Sequence, residues 1–109
     1  MASSFKNANV AVGTSDTDLY IANQVNQLSA VVHGLYLANT DNTANVAVTV
    51  KVYDDSAAVS RTIANAVPIP ANSTLTLEKP VNLEPNDKIV VFASSTNCEA
   101  FASVLELFP

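Results

Sequence analysis

The chain has 109 residues, 49% of them hydrophobic and 14% charged, with ten acidic against five basic side chains and a net charge of −5. This composition excludes a disordered chain, and the length is that of one domain, so we expect residues 1–109 to form a single domain. The basic residues are scattered, which excludes the basic patch that nucleic-acid binding needs. One cysteine excludes an internal disulfide, and no apolar run approaches the roughly 20 residues that cross a bilayer, so no membrane partner is expected.

Alternation of apolar and polar residues dominates the chain and predicts β-strands. In chain order the predicted strands are NANVAV, DLYIAN, LSAVVHGLYLAN, NVAVTVKVY, RTIANAVPIP, STLTLEK, DKIVVFAS and EAFASVLELF. About eight strands with turns every 8–12 residues or so are typical of an antiparallel sandwich or barrel. We therefore predict an all-β fold, a single antiparallel β-sandwich that is immunoglobulin-like or jelly-roll-like. Residues 1–9 are polar and are predicted to form an extended N-terminal arm.

Two neighbouring strands differ in their alternation. In NVAVTVKVY every second residue from Val46 to Val52 is valine, which predicts one core face. In LSAVVHGLYLAN both faces are largely apolar, with Val31, His33, Leu35 and Leu37 on one and Val32, Gly34, Tyr36 and Ala38 on the other. We expect this second strand to be covered on both sides. The segment NTDNTAN between them is predicted to be a hairpin loop, because Asn and Asp favour turns.

His33 and Cys98 are the one imidazole and the one thiol of the chain. Alternation places His33 beside Val31 and Leu35, which favours a buried or interface histidine over a general base. Cys98 begins the last strand, and no cation near it in the sequence would lower its pKa, which favours a covered thiol over a nucleophile. We assign no catalytic residue and expect no enzyme.

Three carboxylate pairs are candidate sites for a hard cation. The pairs are Asp16 with Asp18, Asp54 with Asp55, and Glu84 with Asp87. Calcium takes about six to eight oxygens, commonly from a loop dense in Asp with a glycine at its sharp turn, and none of these segments has that density. Turns and soluble strand ends explain the pairs better, so no metal and no cofactor are predicted.

Three tyrosines could form an aromatic platform for a sugar: Tyr20, Tyr36 and Tyr53. The chain has no Trp, the most effective side chain for such stacking. Tyr36 and Tyr53 lie opposite the aliphatic rows of their strands, which favours a contact between protein subunits. A carbohydrate- or surface-binding module is the alternative that stays open.

Four segments carry a resemblance that runs from about Val31 to Leu107. They are VVHGLYLANTDNTANVAVTVKVYD, VPIPANSTLTL, VNLEPNDKIVVFASS and FASVLEL. Together they resemble small structural proteins of tailed bacteriophages. The resemblance implies a virion component without enzymatic activity, assembled in the host cytoplasm, that decorates the capsid as a cement protein or else belongs to the neck or tail.

The resemblance also implies partners. They are other copies of the chain, in a homo-oligomer for which a trimer suits a capsid site, and virion proteins such as the major capsid protein or neck and tail proteins. Contacts of this kind gain stability from buried area and from strand addition. The residues predicted to lie in these interfaces are Val32, Tyr36, Tyr53, Leu107 and Phe108.

Overall fold

A computed structural model describes residues 2–109 and contains nine β-strands. They are β1 (Ala2–Ala11), β2 (Thr17–Ile21), β3 (Ser29–Asn39), β4 (Val46–Asp54), β5 (Val59–Ile69), β6 (Thr74–Leu77), β7 (Val81–Leu83), β8 (Lys88–Ala93) and β9 (Cys98–Phe108). The all-β prediction is confirmed, with β7 as the strand that the alternation did not predict. Within these residues no helix is long and apolar enough to cross a membrane.

The strands form two antiparallel sheets that pack face to face. Sheet I has the order β1-β9-β3-β6, with β7 also paired to β3, and sheet II has the order β2-β8-β4-β5. Each strand of the first half of the chain therefore pairs with one from the second half: β1 with β9, β2 with β8, β3 with β6 and β7, and β4 with β5. A two-stranded ribbon folded over in this way is a jelly roll. Of the two sandwich types predicted, the structure is therefore the jelly-roll type.

The segment NTDNTAN is not a hairpin loop, because β3 lies in sheet I and β4 lies in sheet II. The hairpin prediction was wrong because alternation identifies a strand without identifying its partner. The polar side chains of the segment do build its turn. Asn39 is buried and donates from Nδ2 to the carbonyls of Ala44 at 2.9 Å and Ile69 at 2.8 Å. Its Oδ1 accepts the backbone N–H of Asp41 at 2.8 Å.

Residues 2–9, predicted as an extended arm, form most of β1. This strand pairs with β9 without interruption from Ala2 opposite Phe108 to Ala11 opposite Glu99. Residues 2–7 are exposed on both faces of the strand, so this end of β1 extends past the opposite sheet. Met1, the first residue of the predicted arm, lies outside the described residues.

A bulge in β3 changes which residues face the core. The pairing of β3 with β9 shifts between Val32 and Gly34, so Val32 faces inward before the bulge and Leu35 and Leu37 face inward after it. His33 is exposed. The predicted faces of this strand were therefore wrong, because a bulge inserts one residue and reverses the alternation beyond it. In β4 no such reversal occurs, and Val46, Val48 and Val50 are all buried as predicted.

Asp87 is a buried carboxylate that joins two turns. Its side chain is 4% exposed. Oδ1 accepts the backbone N–H of Asp55 at 2.9 Å, and Oδ2 accepts the backbone N–H of Glu84 at 2.8 Å. The turn after β4 and the turn before β8 are thereby fixed to each other.

Tyr20 and Glu106 form the centre of a buried polar network between β2 and β9. The Tyr20 hydroxyl donates to Glu106 Oε2 at 2.6 Å, and Gln27 Nε2 donates to the Tyr20 oxygen at 2.8 Å. Burial, together with the hydrogen bond to Glu106, raises the pKa of Tyr20 well above its ordinary value. The network ties the two sheets together with polar contacts on the β1–β2 side of the sandwich.

We expect Asp87→Ala to lower the free energy of unfolding by about 2–4 kcal/mol, because two backbone N–H groups lose their acceptor. Urea denaturation measures the change. The matched control is Asp55→Ala, since Asp55 is exposed and its substitution should change stability by no more than about 0.5 kcal/mol. Equal effects of the two substitutions would show that the buried carboxylate does not fix the turns.

We expect Tyr20→Phe to make the protein less sensitive to alkali. The folded-state pKa of Tyr20 lies above the ordinary value of 10.0, so its contribution is fully present below that pH and is lost as the pH rises through the folded pKa. Above about pH 10 the wild-type free energy of unfolding should fall by about 1.4 kcal/mol per pH unit more than that of the variant. Urea denaturation on both sides of pH 10 measures this, and parallel losses in the two proteins would contradict it.

Candidate functional site: the outer face of sheet I

The outer face of sheet I carries several exposed apolar side chains, interrupted where Asn7 lies opposite Ser103. Three of the six large hydrophobic residues exposed among residues 2–109 lie on it: Phe5 at 80%, Tyr36 at 42% and Phe101 at 38%. The register places Phe5 opposite Leu105 and Phe101 opposite Tyr36. We call this surface the aromatic face; it consists of Phe5, Val31, His33, Tyr36, Phe101, Leu105 and Leu107.

The rings of the aromatic face contact each other in two pairs. Phe5 meets His33 edge to face, with ring centroids 6.2 Å apart. Tyr36 and Phe101 are tilted by 47° with centroids 6.5 Å apart. These distances lie within the range in which aromatic rings interact. The rings therefore support one another before any partner binds, which reduces the side-chain entropy lost on binding.

Strand β9 places some of its smallest residues in the core and some of its largest residues outside. Ala100 and Ala102 are buried in the core, whereas Phe101 is exposed and Leu105 is half-buried on the outside. Burying an aromatic or large aliphatic side chain stabilises a protein by about 1.5–3 kcal/mol. A strand that uses alanine for its core and phenylalanine for its surface has its larger apolar area available to a partner, and such patches mark interaction sites.

A shallow depression of about 370 Å³ lies beside the Tyr36–Phe101 pair. Asn9 and Glu99 contribute to its wall. The depression combines aromatic surface with an amide and a carboxylate, so it can accept a protruding side chain of a partner and hydrogen-bond to it.

The outer face of sheet II has a different character, because lysines cover its aromatic rings. Lys51 Nζ lies 5.1 Å from the ring centroid of Phe92 and 3.1 Å from Asp16 Oδ1. Lys88 Nζ lies 5.6 Å from the ring centroid of Tyr53. Ion pairs at an exposed surface contribute little stability, about 0–1 kcal/mol. Their effect here is to leave this face charged and solvated.

The structure separates the five residues predicted to lie in interfaces. Tyr36 and Leu107 share the aromatic face, and Tyr53 lies on the outer face of sheet II. Phe108 is half-buried at the end of β9, and alternation points it to the side opposite Leu107. Val32 is 2% exposed in the core and presents no surface to a partner. The bulge between Val32 and Gly34 explains this correction, because it places Val32 and Tyr36 on opposite faces of β3.

Sequence reasoning missed Phe5 and Phe101 and gave His33 only as a buried or interface residue. Phe5 is a single apolar residue in a polar segment, so no alternation marked it. His33 was placed on the wrong face by the bulge. Phe101 lies on the same face of β9 as Leu105 and Leu107, but alternation alone does not say which face of a strand meets the core. The small size of Ala100 and Ala102 was the available signal.

The carboxylates gather in one place, where they build turns. Asp54, Glu84 and Asp87 have carboxylate oxygens within 4.8 Å of one another. Both oxygens of Asp87 accept backbone N–H groups. The Ser56 hydroxyl lies 2.9 Å from Asp54 Oδ1 and 3.2 Å from Glu84 Oε1. Protein donors thus account for both oxygens of Asp87, whereas Asp54 and Glu84 share the single hydrogen of one hydroxyl. Asp18 lies apart from it, 3.4 Å from Lys88.

Cys98 is not placed as a nucleophile, and the three tyrosines are not placed as a platform for a sugar. Cys98 is fully buried, and burial, with Glu99 nearby, raises the pKa of its thiol. Tyr20 is buried in its network with Glu106. Because Tyr36 and Tyr53 lie on opposite sheets, the three tyrosines do not form one platform.

No family model matches the chain, and no curated protein sequence matches it either. Several solved structures share its fold. A chain in the capsid of Helicobacter pylori bacteriophage KHP30 is 17% identical with a TM-score of 0.60, over 100% of this chain and 90% of that one. A chain of the T13 particle of infectious bursal disease virus is 9% identical with a TM-score of 0.60, over 97% of this chain and 31% of that one.

A third solved structure comes from Bacillus endospore appendages, which are disulfide-linked pili. It is 11% identical with a TM-score of 0.56, over 98% of this chain and 87% of that one. The present chain therefore spans about a third of the infectious bursal disease virus protein and most of the other two. At these identities the likeness establishes the fold of the chain.

Proposed function

We propose that the chain is a non-enzymatic structural protein of a bacteriophage virion, located as decoration on the capsid surface, with the neck or tail as the other location. The observation that carries this proposal is the aromatic face, where Phe101, Leu105 and Leu107 of β9 point away from the core. Burial of this face against a neighbouring subunit would supply the driving force for attachment.

The fold supports an assembly role. Of the three structures described above, two come from viral particles and one comes from a pilus, so this fold occurs in subunits of large assemblies. The chain covers nearly all of the phage capsid chain that it resembles. The phage resemblance of the segments from Val31 to Leu107 points in the same direction.

The placement of the reactive groups supports a role without catalysis. Cys98 lies on the inner face of sheet I with a raised pKa, so little of it is the thiolate that acts as a nucleophile. His33 lies on the outer face in contact with Phe5. The base and the nucleophile that a hydrolase would need are thus on opposite sides of one sheet.

The partners in this proposal are other copies of the chain and a shell protein. The aromatic face is the surface for the shell protein, since it groups three of the six large hydrophobic residues exposed among residues 2–109, and no lysine of these residues lies over its rings. The trimer predicted from the sequence is one such homo-oligomer and a dimer is another, and the mass of the purified oligomer gives the number of its copies.

The experiment is to purify particles from infected host cells and to measure the number of copies of this chain per particle. On the order of hundreds of copies means decoration of a symmetric shell, and roughly a few to a few dozen means the neck or tail. Finding the chain only free in the lysate, and never on particles, would overturn the proposal.

We expect the double variant Tyr36→Ser, Phe101→Ser to lose binding to particles by about tenfold or more, because aromatic residues at the centre of an interface carry much of its affinity. The melting temperature should also fall somewhat, since both side chains are partly packed on the sheet in the free chain, so binding is compared at a temperature at which both proteins are folded. Cosedimentation with particles measures the binding.

The matched control is Val25→Ser, which removes an apolar side chain that is 86% exposed in a loop away from the aromatic face. This variant should bind as the wild type does. If both variants lose binding equally, the aromatic face is not the attachment surface.

A carbohydrate-binding module is the second candidate, and the depression beside Tyr36 favours it. An aromatic surface with Asn9 and Glu99 at its wall has the stacking and hydrogen-bonding groups that hold a sugar. Binding to a glycan array that disappears in Tyr36→Ala would support this function. An array without bound glycans would exclude it in favour of the virion role.

A further inference from the structure

The two sheets have four edge strands, and two of these edges are short. β2 has five residues, a register shift between Asp18 and Tyr20, and a charged residue at Asp18. β6 and β7 have four and three residues and are separated by a segment that contains Pro80. Short, charged and interrupted edges are the features by which proteins prevent pairing with another chain.

The edge at β5 is long but irregular. Its pairing with β4 shifts at two places, and it contains Pro68. Ala66 has a positive φ of 49° and donates its backbone N–H to Thr49 Oγ1 at 3.0 Å. Bulges and proline disrupt the flat row of donors and acceptors that a new strand needs. This edge is therefore also protected.

β1 has one of these protections, the charge of Lys6, and none of the others. It runs for ten residues in uninterrupted register with β9 and contains no proline. Lys6 is its one charged residue. Among residues 2–109, no strand pairs with its other side. A long, regular, nearly uncharged edge is a template for strand addition.

The hydrogen bonds show which residues of β1 face the open edge. Val12 N–H donates to the carbonyl of Cys98 at 2.9 Å, directly after the last register pair, Ala11 with Glu99. In an antiparallel pair, alternate residues direct both N–H and C=O to the same side. The even-numbered residues of β1 thus bond to β9, and the outward residues are Ser3, Phe5, Asn7, Asn9 and Ala11.

We propose that β1 pairs antiparallel with β1 of a second copy of this chain, with Asn7 on the two-fold axis, so that two copies of sheet I form one continuous sheet. This inference rests on the proposed assembly role and specifies one of its contacts. It uses the strand edge, whereas attachment to the shell uses the aromatic face.

The register follows from pairing and charge. With Asn7 on the axis, Phe5 lies opposite Asn9 of the second copy and Ser3 lies opposite Ala11, so all five outward residues are paired. With Lys6 on the axis, the two lysines would lie directly opposite each other, which is destabilising. An axis at Phe5 would leave Asn9 and Ala11 without partners among the described residues.

Pairing in this register also extends the aromatic face. Phe5, exposed at 80% in the single chain, would lie next to the seam in both copies. The two aromatic faces then become one apolar surface across the dimer, so each dimer presents twice the area to a shell protein. Two linked contacts increase the overall affinity beyond that of either one.

The test is disulfide cross-linking of Asn7→Cys under mild oxidation. Directly opposite residues in a hydrogen-bonded antiparallel pair have Cα atoms about 5.5 Å apart, within the range of about 4.4–6.8 Å that a disulfide spans. Cys98 is fully buried and does not compete. We expect Asn7→Cys to form a covalent dimer that reduction reverses.

The matched control is Asn9→Cys, an exposed residue on the same face of β1. In the proposed register, Asn9 lies opposite Phe5 of the second copy. Asn9 of the second copy is four residues further along that strand, so the two Asn9 residues are about 13 Å apart. It should not cross-link. Cross-linking of both variants, or of neither, would overturn the proposed pairing.

Hydrogen exchange of the wild-type chain gives an independent readout. In the assembled protein the backbone amides of Ser3, Phe5, Asn7 and Asn9 should become protected, while even-numbered amides of β1 are protected already. Exchange of the odd-numbered amides at the same rate in free and assembled protein would overturn the pairing and leave attachment through the aromatic face intact. Conversely, intact cross-linking in a chain that does not bind particles would overturn the virion role alone.

Discussion

The pairing of β9 with β1 on one side and with β3 on the other is the interaction on which the rest of the structure depends. It is continuous along β1 and has one bulge along β3. Because successive residues of a strand point to opposite sides, this pairing places Ala100 and Ala102 in the core and Phe101 and Leu105 outside. The chain thus builds part of its core from small side chains and keeps large ones for its surface.

The two outer faces and the four edges of the sandwich differ in how well they can bind another protein. Lysines and aspartates cover the rings on sheet II, whereas the aromatic face of sheet I has no such cover. Three edges are short, bulged or interrupted by proline, whereas β1 is long and regular. One face and one edge, both on sheet I, are suited to protein contacts. An assembly subunit needs no more chemistry than this.

The sequence predicted the strands well and their arrangement less well, for physical reasons. The valines of β4 marked a core face, because alternation is a local property and no bulge interrupts it. The bulge after Val32 has no local signal, so the faces of β3 were reversed beyond it. The segment NTDNTAN was correctly predicted to be a polar turn, but the strands that it connects, β3 and β4, pair with other strands and not with each other. The position of Phe5 on the aromatic face follows only from the pairing of β1 with β9, which local alternation does not predict.

The central claim is that the aromatic face is covered in the particle and exposed in the free chain. Hydroxyl-radical footprinting of both forms tests it most directly, with Val25 as an exposed reference outside the face. The account predicts that oxidation of Tyr36 and Phe101 falls strongly on particles while oxidation of Val25 stays unchanged. Equal oxidation of Tyr36 and Phe101 in the free and the particle-bound chain would contradict it.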